Sequence, residues 1–284
     1  MKKLMVCGCS FSAVSLIEQH KNTSWSEILA DKLGWELKNI ARQGCSNGGI
    51  RIQIDEVIRQ RPDFAIITPT SYDRIEIPNF SKEKLNITNF SPFEKLIDFV
   101  LRPTEYNEDK DDRKSYFKEA GLDNINYGKN HSRLIVETIH SLAGNWYHNY
   151  RPNQSVPDYI VEALQKYVNC LYDARWKRQI DEWIIRDGLV QLRKHNIAFL
   201  VNPGFSLWNN ITEMNASLEG LLEEKYMLDD DEKNPFAAHA KYPPKGVTQE
   251  NVYGSEDPGY HTNYEGQRFL AFCYYDIIKE RWGL

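Results

Sequence analysis

Leu4-Met5-Val6-Cys7-Gly8-Cys9-Ser10-Phe11-Ser12 joins an unbroken apolar run to a glycine and a cluster of small hydroxyl residues. An apolar run from Leu4 that stops at Gly8 predicts a short strand buried on both faces, ending in a loop. Working outward, Ser24-Trp25-Ser26-Glu27 has the pattern of a capping box, a hydroxyl followed three residues later by a glutamate. Trp25, Ile28, Leu29 and Leu33 then share one helical face, and Gly34 supplies the stop. Trp35 to Ala41 predicts a second strand. A second helix carries Ile50, Ile54, Val57 and Ile58 at helical spacing and closes at Arg61-Pro62. Phe64 to Thr68 predicts a third, almost wholly apolar strand. Apolar strands alternating with amphipathic helices imply an α/β fold with a parallel sheet covered on both faces.

The middle of the chain is less regular. Residues 102–132 are polar and charged and predict an excursion from the core. Ile180, Trp183, Ile184 and Leu192 mark a long amphipathic helix ending near His195-Asn196, and Ile197 to Val201 predicts a fourth core strand stopped by Asn202-Pro203. Residues 204–260 are rich in Pro, Gly, Asn and acidic residues, so mostly loop is expected there. A last helix should start near Thr262 or Asn263, with Phe269, Phe272, Cys273 and Ile277 on its buried face. At 284 residues the expectation is one domain over 1–284 with insertions at about 78–175 and 204–256.

Composition narrows the function classes. A net charge of −5 with no basic stripe argues against a nucleic-acid partner. No apolar stretch is long enough to span a membrane. Met1-Lys2-Lys3 before Leu4-Met5-Val6 has the look of a signal-peptide start, but the apolar run is short and broken by Gly8, Ser10 and Ser12, so a buried first strand is the reading. Five cysteines, at 7, 9, 45, 170 and 273, are odd in number and lack zinc-finger spacing; reduced thiols in a cytoplasmic protein are expected, with no metal and no cofactor.

In a parallel α/β sheet, ligands bind at the carboxyl ends of the strands. Three loops fall there: Gly8-Cys9-Ser10-Phe11-Ser12, Gly44-Cys45-Ser46-Asn47-Gly48 and Thr68-Pro69-Thr70-Ser71. All are dense in hydroxyls, small residues and backbone donors, which suits a nucleophile beside an oxyanion hole. A serine nucleophile needs a base, and the base an orienting acid. Asp257-Pro258-Gly259-Tyr260-His261, just before the last helix, supplies both within one loop. Ser10 would then be the nucleophile, His261 the base and Asp257 the residue that holds the imidazole.

At these residues the chain resembles the SGNH (GDSL-like) hydrolases. Gly8-Cys9-Ser10-Phe11-Ser12 is similar to their first block, usually Gly-Asp-Ser with a hydroxyl two further on. Asn39-Ile40-Ala41 through Gly44-Cys45-Ser46-Asn47 resembles the second block, whose glycine donates its backbone N–H to the oxyanion hole, and Asp257 with His261 resembles the last. The resemblance covers about the first 75 residues and the last 30. It implies a three-layer α/β/α flavodoxin-like fold and hydrolysis of carboxylic esters, with acyl or acetyl groups on lipid, sugar or small-molecule substrates. It also implies an oxyanion hole of the Ser10 and Gly44 N–H groups plus a side chain, for which Asn47 and Ser71 compete.

The chain departs from that pattern in three places. Cys9 replaces the usual Asp before the nucleophile; the third block runs into Thr70-Ser71-Tyr72-Asp73 where an asparagine is usual; and the Asp-to-His spacing is one residue longer, which makes Glu256 the understudy for Asp257. A rival enzyme reading places the nucleophile at Ser46, in a Gly-x-Ser-x-Gly elbow between a strand and a helix; the other role for Ser46 is a helix cap. A third reading keeps the fold as a non-catalytic binding module. Trp146, Tyr147, Tyr150 and Tyr159 could form a lid or wall, or the insertion's own core. Cys9 and Cys45, on neighbouring strand-end loops, are either packing thiols or a redox-sensitive pair.

Overall fold

The computed structural model describes residues 1–14, 21–42, 44–72, 74–78, 96–104, 133–139, 163–164, 166–167, 170–204, 207–242 and 262–284. Strand β1 (Lys3–Cys7) lies between β2 (Glu36–Asn39) and β3 (Phe64–Ile67), parallel to both, with Val6 opposite Asn39 on one side and Ile66 on the other. Later in the chain, β7 (Phe199–Val201) adds parallel to β3, so the sheet order is β2-β1-β3-β7. Leu4 to Cys7 and Phe64 to Ile67 are all fully buried, although successive residues of a strand face opposite sides. Both faces of the sheet are therefore covered.

Helices supply the cover in two pairs. Helix α1 (Trp25–Leu33) packs on α6 (Tyr264–Trp282), and α2 (Asn47–Gln60) packs on α3 (Ala174–Lys194). The boundaries follow local chemistry. Ser24 closes the full capping box with Glu27 at the start of α1, and Gly34 ends it at φ 67°. Arg61 ends α2 in the left-handed region at φ 48° before Pro62. The architecture is α/β, a four-stranded parallel sheet flanked by helices, as the opening strand and the alternation around it predict.

Two regions differ from expectation. The region after β3 builds its own antiparallel sheet of β4 (Arg74–Pro78), β5 (Leu96–Thr104) and β6 (Arg133–Ile139), in the order β4-β5-β6, so residues 102–104 are strand rather than excursion. Trp146, Tyr147, Tyr150 and Tyr159 lie outside the described residues. Within 204–260, α4 (Ile211–Leu218) and α5 (Pro235–Lys241) replace part of the expected loop. Asn210 explains the first: its side chain accepts from the Glu213 N–H, so a residue counted as a loop former is a helix cap. Met227 bridges Val201, and Leu228 N–H donates to Val201 C=O (2.9 Å), which extends the sheet edge.

The buried faces of α3 and α6 are also rotated from their apolar pattern. Helix α3 turns Lys177, Asp181, Ile185, Leu189 and Leu192 inward, while Trp183 is 50% exposed and packs edge-on against Trp176. On α6 the interior takes Gln267, Leu270, Ala271, Tyr274, Ile277 and Ile278, and Phe272 lies outside beneath the Lys32 ammonium, 4.3 Å from its ring centre. In each helix a bonded polar residue occupies the core stripe, and an aromatic residue covered by a neighbour sits outside it. No helix among the described residues is long and apolar enough to cross a membrane.

Candidate active site

The three expected loops do lie side by side, at the carboxyl ends of β2, β1 and β3. Strand β1 ends at Gly8, whose φ of 157° and crowded surroundings suit only glycine: a Cβ would stand 3.0 Å from both Ser12 Oγ and Thr68 Cβ. Beyond it, Cys9 C=O accepts from the N–H groups of both Ser12 and Ala13 (3.0 Å each), so the chain turns tightly with Ser10 and Phe11 at the crown. Ser10 is partly exposed, whereas Cys9 beneath it is fully buried. Asn39 donates to Ser12 C=O (2.7 Å), and the Trp25 indole donates to Phe11 C=O (3.1 Å). The loop of Ser10 is thus pinned from β2 and from α1.

Gln53 ties this loop to the next. Its Oε1 accepts from Gly8 N–H (2.7 Å), and its Nε2 donates to Gly8 C=O (3.2 Å) and lies 3.3 Å from Cys45 Sγ. The second loop begins where Ile40 N–H donates to Val6 C=O and Arg42 N–H to Gly8 C=O. Gly44 then turns at φ 68°, and its buried N–H meets no acceptor among the described residues. Ser46 is fully buried and caps α2, its Oγ accepting from Gly49 N–H (3.2 Å). That is the cap role the sequence offered for Ser46.

Asn47 has a different job from the one expected. Its Nδ2 donates both to Thr70 C=O (2.9 Å) and to Asp181 Oδ2 (3.0 Å), and its Oδ1 accepts from Thr70 N–H (2.8 Å). Both amide hydrogens are taken, so Asn47 has no donor left for an oxyanion. It braces the third loop instead. That loop is held on its other side by Asn202, which donates to Thr68 Oγ1 (3.0 Å) and accepts from Gly204 N–H (2.9 Å). Gly204, at φ 68°, packs so closely on Pro69 that a Cβ there would overlap the Pro69 carbonyl oxygen. Ser71 is buried and engaged by a neighbour.

Charge surrounds the second loop. Arg74 donates to Cys45 C=O (2.9 Å), and Arg42 and Arg74 are both nearly fully buried. Burial pushes the Cys45 thiol up, the Arg42 and Arg74 guanidiniums draw it down, and the neighbouring Cys9 adds to the rise. The net direction is upward. Cys45 is a neutral thiol poorly disposed to oxidation, and both Cys9 and Cys45 are free. The packing reading of this pair fits these facts. Behind Asn47, Asp181 is fully buried and bonded to Lys177, which also lies 3.3 Å from Glu76 Oε2. Burial raises the Asp181 carboxyl to about 6, against the pull of Lys177 and with a further push from Glu76. Two carboxylates compete there for one ammonium.

His261, Asp257 and Glu256 lie outside the described residues. The residue next to His261 is described. Thr262 is buried, and its Oγ1 accepts from Gln267 Nε2 (2.5 Å). Gln267 Oε1 in turn accepts from the backbone N–H of Trp25 (2.7 Å), the residue whose indole holds Phe11 C=O. A chain of buried hydrogen bonds thus joins the start of α6 to the loop of Ser10. Asn263 caps α6 by accepting from Gly266 N–H (3.0 Å).

Gln53, Asn202, Gln267 and Asp181 were not singled out from the sequence. Gln53 carried a signal: it falls between Ile50 and Val57 on the apolar stripe of α2, where a polar side chain needs an internal partner. Among the described residues no group of three or more His, Cys, Asp or Glu side chains could hold a metal ion.

No protein-family profile matches the chain, and no curated protein does. Solved structures similar to it include one described as a lipolytic protein of the G-D-S-L family from Desulfitobacterium hafniense DCB-2. It is 10% identical, with 98% of this chain and 99% of that one covered and a TM-score of 0.43. Another is an acetyl xylan esterase from the rumen bacterium Butyrivibrio proteoclasticus, 13% identical, covering 99% of this chain and 64% of that one, with a TM-score of 0.42.

Proposed function

We propose that the chain is a serine hydrolase of carboxylic esters, with Ser10 as nucleophile, His261 as general base and Asp257 as the acid that orients it. The observation that carries this reading is the buried path Phe11–Trp25–Gln267–Thr262. Thr262 directly follows His261 in the sequence, and the path ties Thr262 to Trp25, the residue that holds the loop of Ser10. The partly exposed Ser10 at the carboxyl end of β1 and the buried Gly44 N–H on the adjoining loop complete the pattern.

In this reading Ser10 Oγ attacks the ester carbonyl carbon as His261 takes its proton. The N–H groups of Ser10 and Gly44 receive the oxyanion, aided by the positive field of Arg42 and Arg74. Collapse expels the alcohol, which carries away the proton from His261, and water then releases the acyl group from Ser10 by the same steps. The substrate is an acyl or acetyl ester of a lipid, a sugar or a small molecule. Asn47 being committed, the side-chain donor falls to a hydroxyl of the third loop.

A serine-directed fluorophosphonate tests the reading. It should label the wild-type chain at Ser10 alone and fail to label Ser10→Ala. Labelling that persists in Ser10→Ala and disappears in Ser46→Ala would move the nucleophile to Ser46. No labelling and no ester turnover by the folded protein would leave a binding module.

A further inference from the structure

Thr70 presents a hydroxyl that the fold does not use. Its Oγ1 is fully buried and has no hydrogen-bond partner among the described residues. A buried donor without an acceptor costs free energy, and a valine would fill the same volume without that cost. The rest of Thr70 is fixed with care. Both of its main-chain groups are held by the Asn47 amide, and Asn47 is itself braced by Asp181 and Lys177. A hydroxyl on so firmly held a residue is placed for a partner that comes from outside.

A second orphaned donor stands on the neighbouring loop. Gly44 N–H is buried and without an acceptor among the described residues, three positions before Asn47. The Asn47 amide therefore fixes the loop of one unused donor to the residue that carries the other. Two unsatisfied donors on loops locked together lack one thing, an acceptor that brings negative charge.

Resting on the hydrolase reading above, we propose that Thr70, rather than Asn47 or Ser71, is the side-chain donor to the oxyanion, acting with Gly44 N–H. Asn47 has no hydrogen to give, and on the third loop it is the Thr70 hydroxyl that is buried without a partner among the described residues. Ser12 Oγ is also buried without a partner, but it belongs to the nucleophile's own turn and sits over Gly8. A hydroxyl is a weaker positional choice than an amide because it can rotate; the clamp on both sides of Thr70 offsets this by fixing the backbone from which it turns.

The test compares wild type with Thr70→Val, Thr70→Ser, Ser71→Ala and Ser12→Ala. It measures kcat and KM on a short-chain aryl ester, the rate of fluorophosphonate labelling, and the melting temperature. Thr70→Val should melt no lower than wild type, lose about 10²-fold in kcat with KM changed by only a few-fold, and label more slowly in proportion. Thr70→Ser should restore most of the turnover. A Thr70→Val protein that turns over within a few-fold of wild type would overturn the proposal. So would a larger loss in Ser71→Ala or Ser12→Ala, or a fall in the melting temperature of Thr70→Val, which would reveal a structural partner for the hydroxyl. If wild type neither turns over nor labels, the hydrolase reading fails and this assignment falls with it, a pattern distinct from an active wild type with an indifferent Thr70→Val.

Discussion

Replacing Asp181 with asparagine should make the protein relatively more stable as the pH rises. Asp181 is fully buried, and burial lifts its carboxyl from the ordinary 3.8 to about 6 despite the Lys177 ammonium. Between those two values the folded state holds a proton that the unfolded chain has released. Wild-type stability from this group is therefore greatest below the lower value and is lost as pH rises through the upper one. A difference of about two pKa units corresponds to about 3 kcal/mol. Asparagine has no such titration, and it leaves Lys177 with Glu76 as a balanced pair. The stability of Asp181→Asn minus that of wild type should thus grow by about 3 kcal/mol from about pH 4 to about pH 7. Urea unfolding of both proteins across that range measures the difference, and distant carboxylates cancel from it. A flat difference would show that Asp181 titrates alike in both states. A difference that shrinks with rising pH would show that Lys177 governs the carboxyl and that the burial argument is wrong.

Gln53→Leu removes the acceptor of Gly8 N–H while filling the same space. It should cost about 1–3 kcal/mol in urea unfolding and, on the hydrolase reading, slow fluorophosphonate labelling of Ser10, because the Ser10 loop loses its tie to α2. Gly204→Ala meets both a left-handed φ of 68° and the Pro69 carbonyl; a loss of about 2–4 kcal/mol is expected, and a variant as stable as wild type would refute the close packing.

The fold was legible because its signals were local and consistent. The apolar run Leu4 to Cys7, the capping box at Ser24 and the stop at Gly34 each have one physical solution, and the order strand, helix, strand then implies the parallel sheet. The faces of α3 and α6 were not legible, since Lys177, Asp181 and Gln267 are buried by virtue of partners far away in sequence. Trp183 and Phe272 looked like core residues for the opposite reason: each is shielded by a neighbour that no periodicity reports. The same rule governs the site. The turn at Gly44 could be placed from its motif, because a left-handed φ is a local property of the chain. Asn47 could not, because whether an amide hydrogen is available depends on what Thr70 and Asp181 do with it.

The three loops share one device, and it follows from where they lie. A strand's backbone groups are satisfied by its neighbours, but beyond the last rung that pairing stops while the chain is still buried. A primary amide carries a donor and an acceptor at a spacing that matches the N–H and C=O of one residue. Gln53 fills that role for Gly8 and Asn47 for Thr70, each as a one-residue substitute for a missing strand. Asn202 does similar work between Thr68 and Gly204. Carboxylates at these positions could accept but not donate, and would oppose any negative charge forming nearby; ammonium groups could donate but not accept. Neutral amides fix the loops without altering the field. The field at Cys45 is then set by Arg42 and Arg74, opposed by Glu76, while the Thr70 hydroxyl has no partner among the described residues. Asp181 stands behind Asn47 and pairs with Lys177, which also reaches Glu76. Under the proposed hydrolase reading, rigid neutral clamps and the Arg42 and Arg74 charges would favour an oxyanion formed at Ser10.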